Sequence, residues 1–174
     1  MRPKREHVTN NRQTYMVTAT TWERRGHFRN ERWAKLLIDV LYHYRGSAYL
    51  LHEFVIMPDH LHVLITPLVS LEKAVPYIKG GFSYRAKKEL GSNVEVWQKG
   101  FQDHRIRDVA DYDIHVAYIH GNPGREHLCE DGRDYPYSFV VGAPKGAPFQ
   151  NISINSNKHL IRSAPVQNDK SKIA

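Results

Sequence analysis

Apolar positions along this chain follow two periods, one of about two residues and one of about 3.6, and the switches between them predict its elements. Tyr15 to Thr21 is β-branched and aromatic and predicts a first strand. Beyond Asn30, a good helix N-cap, Trp33, Leu36, Leu37, Val40, Leu41 and Tyr44 form one apolar stripe at helical spacing, and Gly46 stops it. Ala48 to Met57 predicts a second strand and His60 to Thr66 a third. The two are joined by so short a turn, Pro58-Asp59, that they must pair antiparallel. Ser70 is placed to cap a second helix carrying Leu71, Ala74, Val75, Ile78, Phe82, Ala86 and Leu90. Pro76 and Gly80-Gly81 interrupt it and predict a kink or two shorter pieces. Val94 to Asp108 predicts a strand with a bulge or bend at Gly100. A third helix runs from about Asp111 or Asp113 to Asn122, ended by Pro123-Gly124.

The order β-α-β-β-α-β with a central hairpin is the ferredoxin-like split βαβ arrangement, an α+β fold with two helices on one face of an antiparallel sheet. The third strand is central in that arrangement. If Leu61, Val63 and Ile65 meet the two helices, then His60, His62 and Leu64 stand on the open face, because side chains alternate along a strand. Leu64 would be wet there without a cover, and the third helix is the element available to supply it. Domain organisation is expected to be a basic flexible arm over 1–13, one folded domain over 14–142 and a disordered basic tail over 143–174, with Tyr135, Tyr137 and Phe139 anchoring the end of the domain.

Lys and Arg number 25 against 18 Asp and Glu, a formal charge of +7, which makes nucleic acid or another anionic surface a plausible partner. A single cysteine, Cys129, excludes an intrachain disulfide and fits a reducing compartment. No apolar run reaches the roughly 18 residues of a membrane span, and the basic start leads into no apolar signal segment. A soluble, cytoplasmic protein is expected.

The candidate chemistry centres on His60-Leu61-His62. Two imidazoles on one strand face, with Cα atoms roughly 7 Å apart, can converge on one ion; alternatively they are two half-exposed strand histidines. On the third helix Tyr118 and Asn122 lie one turn apart on one face, with His115 in the same sector. If that face meets the histidines, Asn122 can offer an amide oxygen as third ligand and Tyr118 a phenol beside the metal. The competing reading of Tyr118 is a core tyrosine with a wet tip.

Four motifs in order resemble a family: Met57-Pro58-Asp59-His60-Leu61-His62-Val63-Leu64, then Trp97-Gln98 and Phe101 running into Ile106-Arg107-Asp108, then Tyr118-Ile119-His120 with Asn122-Pro123, then Tyr135-Pro136-Tyr137-Ser138. Over roughly residues 8–142 they look like the REP-associated tyrosine transposases, IS200-like members of the single-tyrosine HUH group, named for two histidines around a hydrophobic residue. The resemblance implies a ferredoxin-like domain holding Mg²⁺ or Mn²⁺ through His60, His62 and Asn122. It also implies that Tyr118 attacks single-stranded DNA beside a hairpin-forming palindrome, leaving a 5′-phosphotyrosine link and a free 3′-hydroxyl. On ligand preference alone, two imidazoles and an amide suit Zn²⁺ or Mn²⁺ as well as Mg²⁺. Where relatives carry an apolar, alanine- or glycine-rich step after the proline, this chain has Gly124-Arg125-Glu126-His127.

DNA contact is expected from Arg2, Lys4, Arg5 and Arg12 in the arm, from Lys79, Arg85, Lys87 and Lys88, and from Arg105 and Arg107 sharing a face about Ile106. A monomer is favoured over a dimer. The alternative function is a domesticated protein that grips structured nucleic acid without strand transfer; a third is a hydrolase in which water attacks.

Overall fold

The computed structural model describes residues 13–138. Its elements are β1 (Tyr15–Thr20), α1 (Glu31–Tyr44), β2 (Tyr49–Met57), β3 (His60–Pro67), α2 (Leu71–Leu90), β4 (Gln102–Arg105) and α3 (Val109–Arg125). The sheet order is β2-β3-β1-β4, with every pairing antiparallel. This is the expected ferredoxin-like arrangement with β3 and β1 central and an added helix after β4.

Alternation along the strands sorts the core into two layers. Val17 and Ala19 of β1, Phe54 and Ile56 of β2, and Leu61, Val63 and Ile65 of β3 pack under the apolar stripes of α1 and α2. On the opposite face Met16, Val55, Met57 and Leu64 pack with Ile106, Ile119 and Tyr135. Leu64 is fully buried there, so α3 is the cover that β3 required. Burying such a leucine contributes about 1.5–3 kcal/mol, which fixes the face of α3 that meets the sheet.

Local chemistry explains the element ends. The Asn30 side chain accepts from Arg32 N at 3.0 Å and starts α1. A register shift between Leu51 and Glu53 exchanges faces within β2, so Leu51 and Phe54 both meet α1 and α2 while Glu53 turns toward α3.

Three expectations change. The second helix is one uninterrupted element, since Pro76 removes only the bond to the carbonyl of Glu72 and sits on its exposed side. The strand expected over 94–108 is broken. Val96–Gln98 runs beside Thr20–Trp22, the chain bends at Gly100 (φ +73°), and β4 resumes beside β1 only over Gln102–Arg105. Finally α3 is longer at both ends than expected. The Asp108 carboxylate caps it by accepting from Asp111 N at 2.9 Å, and Pro123 is carried within its last turns. Beyond α3, Ile56 N donates to Tyr137 O at 2.9 Å and Tyr135 Oη to Ile56 O at 3.0 Å, so this segment is strapped against β2. Phe139, the arm over 1–12 and the tail over 143–174 lie outside the described residues. Among the described residues no helix is long and apolar enough to cross a membrane.

Candidate active site

β3 presents His60 and His62 on the α3 side of the sheet, and their Nε2 atoms approach to 3.1 Å. Each ring is oriented from behind. Nδ1 of His60 meets Asp59 Oδ1 at 2.6 Å, and Nδ1 of His62 meets Thr18 Oγ1 at 2.8 Å from the neighbouring strand. A carboxylate can only accept, so Nδ1 of His60 carries a proton and its Nε2 a lone pair; a hydroxyl can accept as well as donate, so Nδ1 of His62 can carry its proton too and leave that Nε2 free to bind. Two lone pairs facing each other at that distance repel unless a proton or a cation lies between them. Adjacent donors about 2.1 Å from one octahedral ion are roughly 3 Å apart, so the pair fits a shared divalent cation.

The electrostatics favour the ligand form of the imidazole. Burial, with the charges of His60 and Arg125, pushes His62 down to about 3, so it stays neutral at physiological pH. Burial works against a charged Asp59, but His60 and Arg24 outweigh it and hold its carboxyl below the ordinary value. Arg24 reaches Asp59 Oδ2 at 3.0 Å from a left-handed step, with φ of 53° and 52° at Glu23 and Arg24.

α3 brings the other two residues. Asn122 is buried, and among the described residues its Nδ2 has no hydrogen-bond partner. The two ends of an amide are distinguished only by their partners, so this side chain has an unsatisfied position that a ligand role would use. One turn earlier, Tyr118 is 42% exposed and meets the edge of the His62 ring, centroids 5.2 Å apart at 76°. His60, His62, Tyr118 and Asn122 line one cleft of about 460 Å³, together with Thr18, Arg24, Gln102, His115 and Glu126. A phenol, two convergent imidazoles and an amide on one open cleft can hold a cation and present a nucleophile beside it.

The model of the IS200-like transposases matches residues 9–122 of this chain. The chain belongs to that family. A REP-associated tyrosine transposase of Escherichia coli K12 is 26% identical over 131 residues, 72% of this chain and 74% of the relative. A Haemophilus influenzae protein provisionally given the same name is 32% identical over 95 residues. That match covers 48% of this chain and 54% of the relative, so the chain spans about half the length of that relative. The fold resembles the solved structure of a REP-associated tyrosine transposase bound to a REP hairpin, with a TM-score of 0.65. At 23% identity, covering 79% of this chain and 81% of that one, the likeness is one of fold.

In this chain the four residues expected at the site do come together, whereas the expected DNA-contact residues disperse. Lys79, Arg85, Lys87 and Lys88 lie on α2, behind the sheet from the cleft. Lys79 donates to the carbonyls of Gln98 and Gly100 at 2.6 and 2.5 Å, clamping the bend before β4. Arg85 is paired with Glu89 at 2.5 Å. Arg105 and Arg107 do not share a strand face, because β4 ends at Arg105 and Arg107 belongs to the turn into α3, where it meets Asp111 at 3.2 Å. Arg2, Lys4, Arg5 and Arg12 lie outside the described residues.

A second polar cluster joins β4 to α3. Asp111 is buried and takes His104 Nε2 at 3.0 Å and both N and Nε of Arg107 at 3.0 and 3.2 Å, while His115 Nδ1 lies 3.3 Å from its other oxygen. The His104 and His115 rings stack, centroids 4.5 Å apart at 19°. Nearly parallel rings cannot both aim an in-plane lone pair at one ion. The cluster therefore reads as an anionic clamp that seats the first turn of α3.

Sequence reasoning missed Thr18, Arg24 and Arg125. The turn chemistry expected of Pro58-Asp59 covers only part of the role of Asp59, whose carboxylate also orients the His60 ring.

Proposed function

We propose that this transposase cleaves and rejoins single-stranded DNA through Tyr118, at hairpin-forming palindromic repeats, with Mg²⁺ or Mn²⁺ held by His60, His62 and Asn122. The observation that carries the reading is the approach of two Nε2 atoms to 3.1 Å beside an exposed phenol, with both Nδ1 atoms already engaged. A divalent ion bound there would polarise a phosphoryl oxygen and favour the phenolate.

The residues of the chain do the rest. Asp59 and Thr18 keep the imidazoles turned inward, and the burial of His62 keeps it neutral. Tyr118 stands at the open side of the cleft, where a strand can reach it without the sheet opening. Its phenol oxygen forms a bond to phosphorus as the bond from phosphorus to the 3′ oxygen breaks. The phenolic proton leaves to solvent and the released 3′ oxygen takes one up. Reversal by another 3′-hydroxyl rejoins a strand, and because one ester replaces another no nucleotide cofactor is required. A monomer suffices for this reading, since the proposed ligands and the nucleophile come from one chain.

The test is incubation with Mg²⁺ or Mn²⁺ and an oligonucleotide bearing a hairpin with single-stranded flanks. A covalent protein–DNA adduct is expected, to be abolished by Tyr118→Phe while binding survives. A normal yield from Tyr118→Phe overturns the assignment. Tight binding with no adduct from the wild type favours the pure binding function, and cleavage without an adduct favours attack by water.

A further inference from the structure

The step after Pro123, Gly124-Arg125-Glu126-His127, places a cation against the ring of Tyr118. Arg125 is the last residue of α3 and folds back along the helix for two turns. Its guanidinium carbon lies 4.6 Å from the centroid of the Tyr118 ring, and Nη2 donates to Tyr118 O at 2.7 Å. Tyr118, Gly121 and Arg125 stand at i, i+3 and i+7, on one face of the helix. Gly121 leaves room for this path, since a Cβ there would come within 2.9 Å of Arg125 Nη1 and the guanidinium would have to shift.

Among the described residues no carboxylate lies within ion-pair distance of Arg125, although Asp59 holds Arg24, Glu89 holds Arg85 and Asp111 holds Arg107. The side chain is exposed and has five N–H donors, of which one contact uses only Nη2. Stacking on an exposed ring and one carbonyl bond are weak restraints beside a bidentate, charge-assisted pair with a phosphate. The group is thus positioned on Tyr118, and among the described residues no carboxylate neutralises it.

Resting on the reading of Tyr118 as the nucleophile, we propose that Arg125 binds the phosphodiester that Tyr118 attacks. Before DNA arrives it steadies the phenol ring by stacking. When the strand enters, its free donors take the non-bridging oxygens of that phosphate, which brings phosphorus to the helix face carrying the phenol. The charge developing on those oxygens during transfer is then met by a fixed guanidinium.

The experiment uses the full chain with Mn²⁺ and a hairpin oligonucleotide, and maps the cut phosphate from the wild-type adduct. Arg125→Ala is expected to slow adduct formation on the order of 100-fold, with the melting temperature unchanged, and Arg125→Lys to recover part of the rate. Equilibrium binding is then measured in a Tyr118→Phe background, with the mapped phosphate intact or replaced by an uncharged methylphosphonate. Arg125→Ala should weaken binding about tenfold on the intact strand and leave binding to the methylphosphonate strand unchanged. A wild-type adduct rate from Arg125→Ala overturns the proposal, as does an equal loss of binding on both strands, which would place the contact at another phosphate. Absence of any adduct from the wild type is a different result: it removes Tyr118 as the nucleophile and this inference with it.

Discussion

Asp59 and His60 are neighbours in the chain and bonded to each other, Oδ1 accepting from Nδ1 at 2.6 Å, while Arg24 holds the second carboxylate oxygen at 3.0 Å. The carboxylate therefore fixes which nitrogen of His60 carries the proton and where the ring faces. Asp59→Ala removes both constraints. Affinity for Mn²⁺, measured by titration calorimetry, is expected to fall about 10- to 100-fold. Unchanged affinity would mean that Asp59 only closes the hairpin turn.

The same logic applies across the sheet to His62. Thr18 reaches it from β1 at 2.8 Å, and the two residues are register partners in the β1–β3 ladder. Thr18→Val keeps the β-branched shape and deletes the hydroxyl, so the strand survives while the ring loses its orienting contact. A loss of Mn²⁺ affinity of about tenfold is expected, with recovery in Thr18→Ser. Equal affinities for the valine and serine variants would show that the burial of His62 alone holds the ring.

What could be read in advance follows from range. Alternation along β3 fixed that His60, His62 and Leu64 share a face, and the need to bury Leu64 called for α3 as a cover. Both are properties of a few consecutive residues and one sheet. The expected α2 cations were placed by charge, which says nothing of the side of the sheet. Thus Lys79 proved to be spent on backbone carbonyls and Arg85 on Glu89. The contacts of Thr18 and Arg24 join residues 44 and 35 positions apart, a separation at which no local pattern carries information. The return of Arg125 over Gly121 depends on helix geometry continuing past Pro123, which the proline itself argues against in the sequence.

His120 and Glu53 tie α3 to β2, Nε2 to Oε2 at 3.1 Å. The hydrogen bond that His120 donates to Glu53 raises its value above the ordinary one against the opposing effect of burial. A raised folded value means that the contribution is fully present below about pH 6.5 and is lost as the pH climbs through the folded value. Partial exposure limits its size to less than about 1 kcal/mol. The melting temperature of wild type relative to His120→Gln should be highest near pH 6 and converge toward pH 8.5. A difference independent of pH would show that the pair acts through packing rather than charge.

Asp111 has the opposite sign. The side-chain bond from His104 and the backbone N–H of Arg107 lead in holding its carboxyl far below the usual range, so it remains ionised where an unfolded aspartate begins to protonate near pH 3.9. A depressed folded value gives stability that is present above the unfolded value and lost as the pH falls through the folded one. Asp111→Asn keeps the shape and removes the charge that gathers His104, Arg107 and His115 against the first turn of α3. The urea midpoint of this variant should lie below that of wild type by a constant amount from pH 7 to pH 5, and the gap should narrow at pH 3. Because Tyr118 rides on the same helix two turns on, adduct formation should fall with it at pH 7. A gap as wide at pH 3 as at pH 7 would show that the aspartate acts by hydrogen-bond geometry alone and not by its charge.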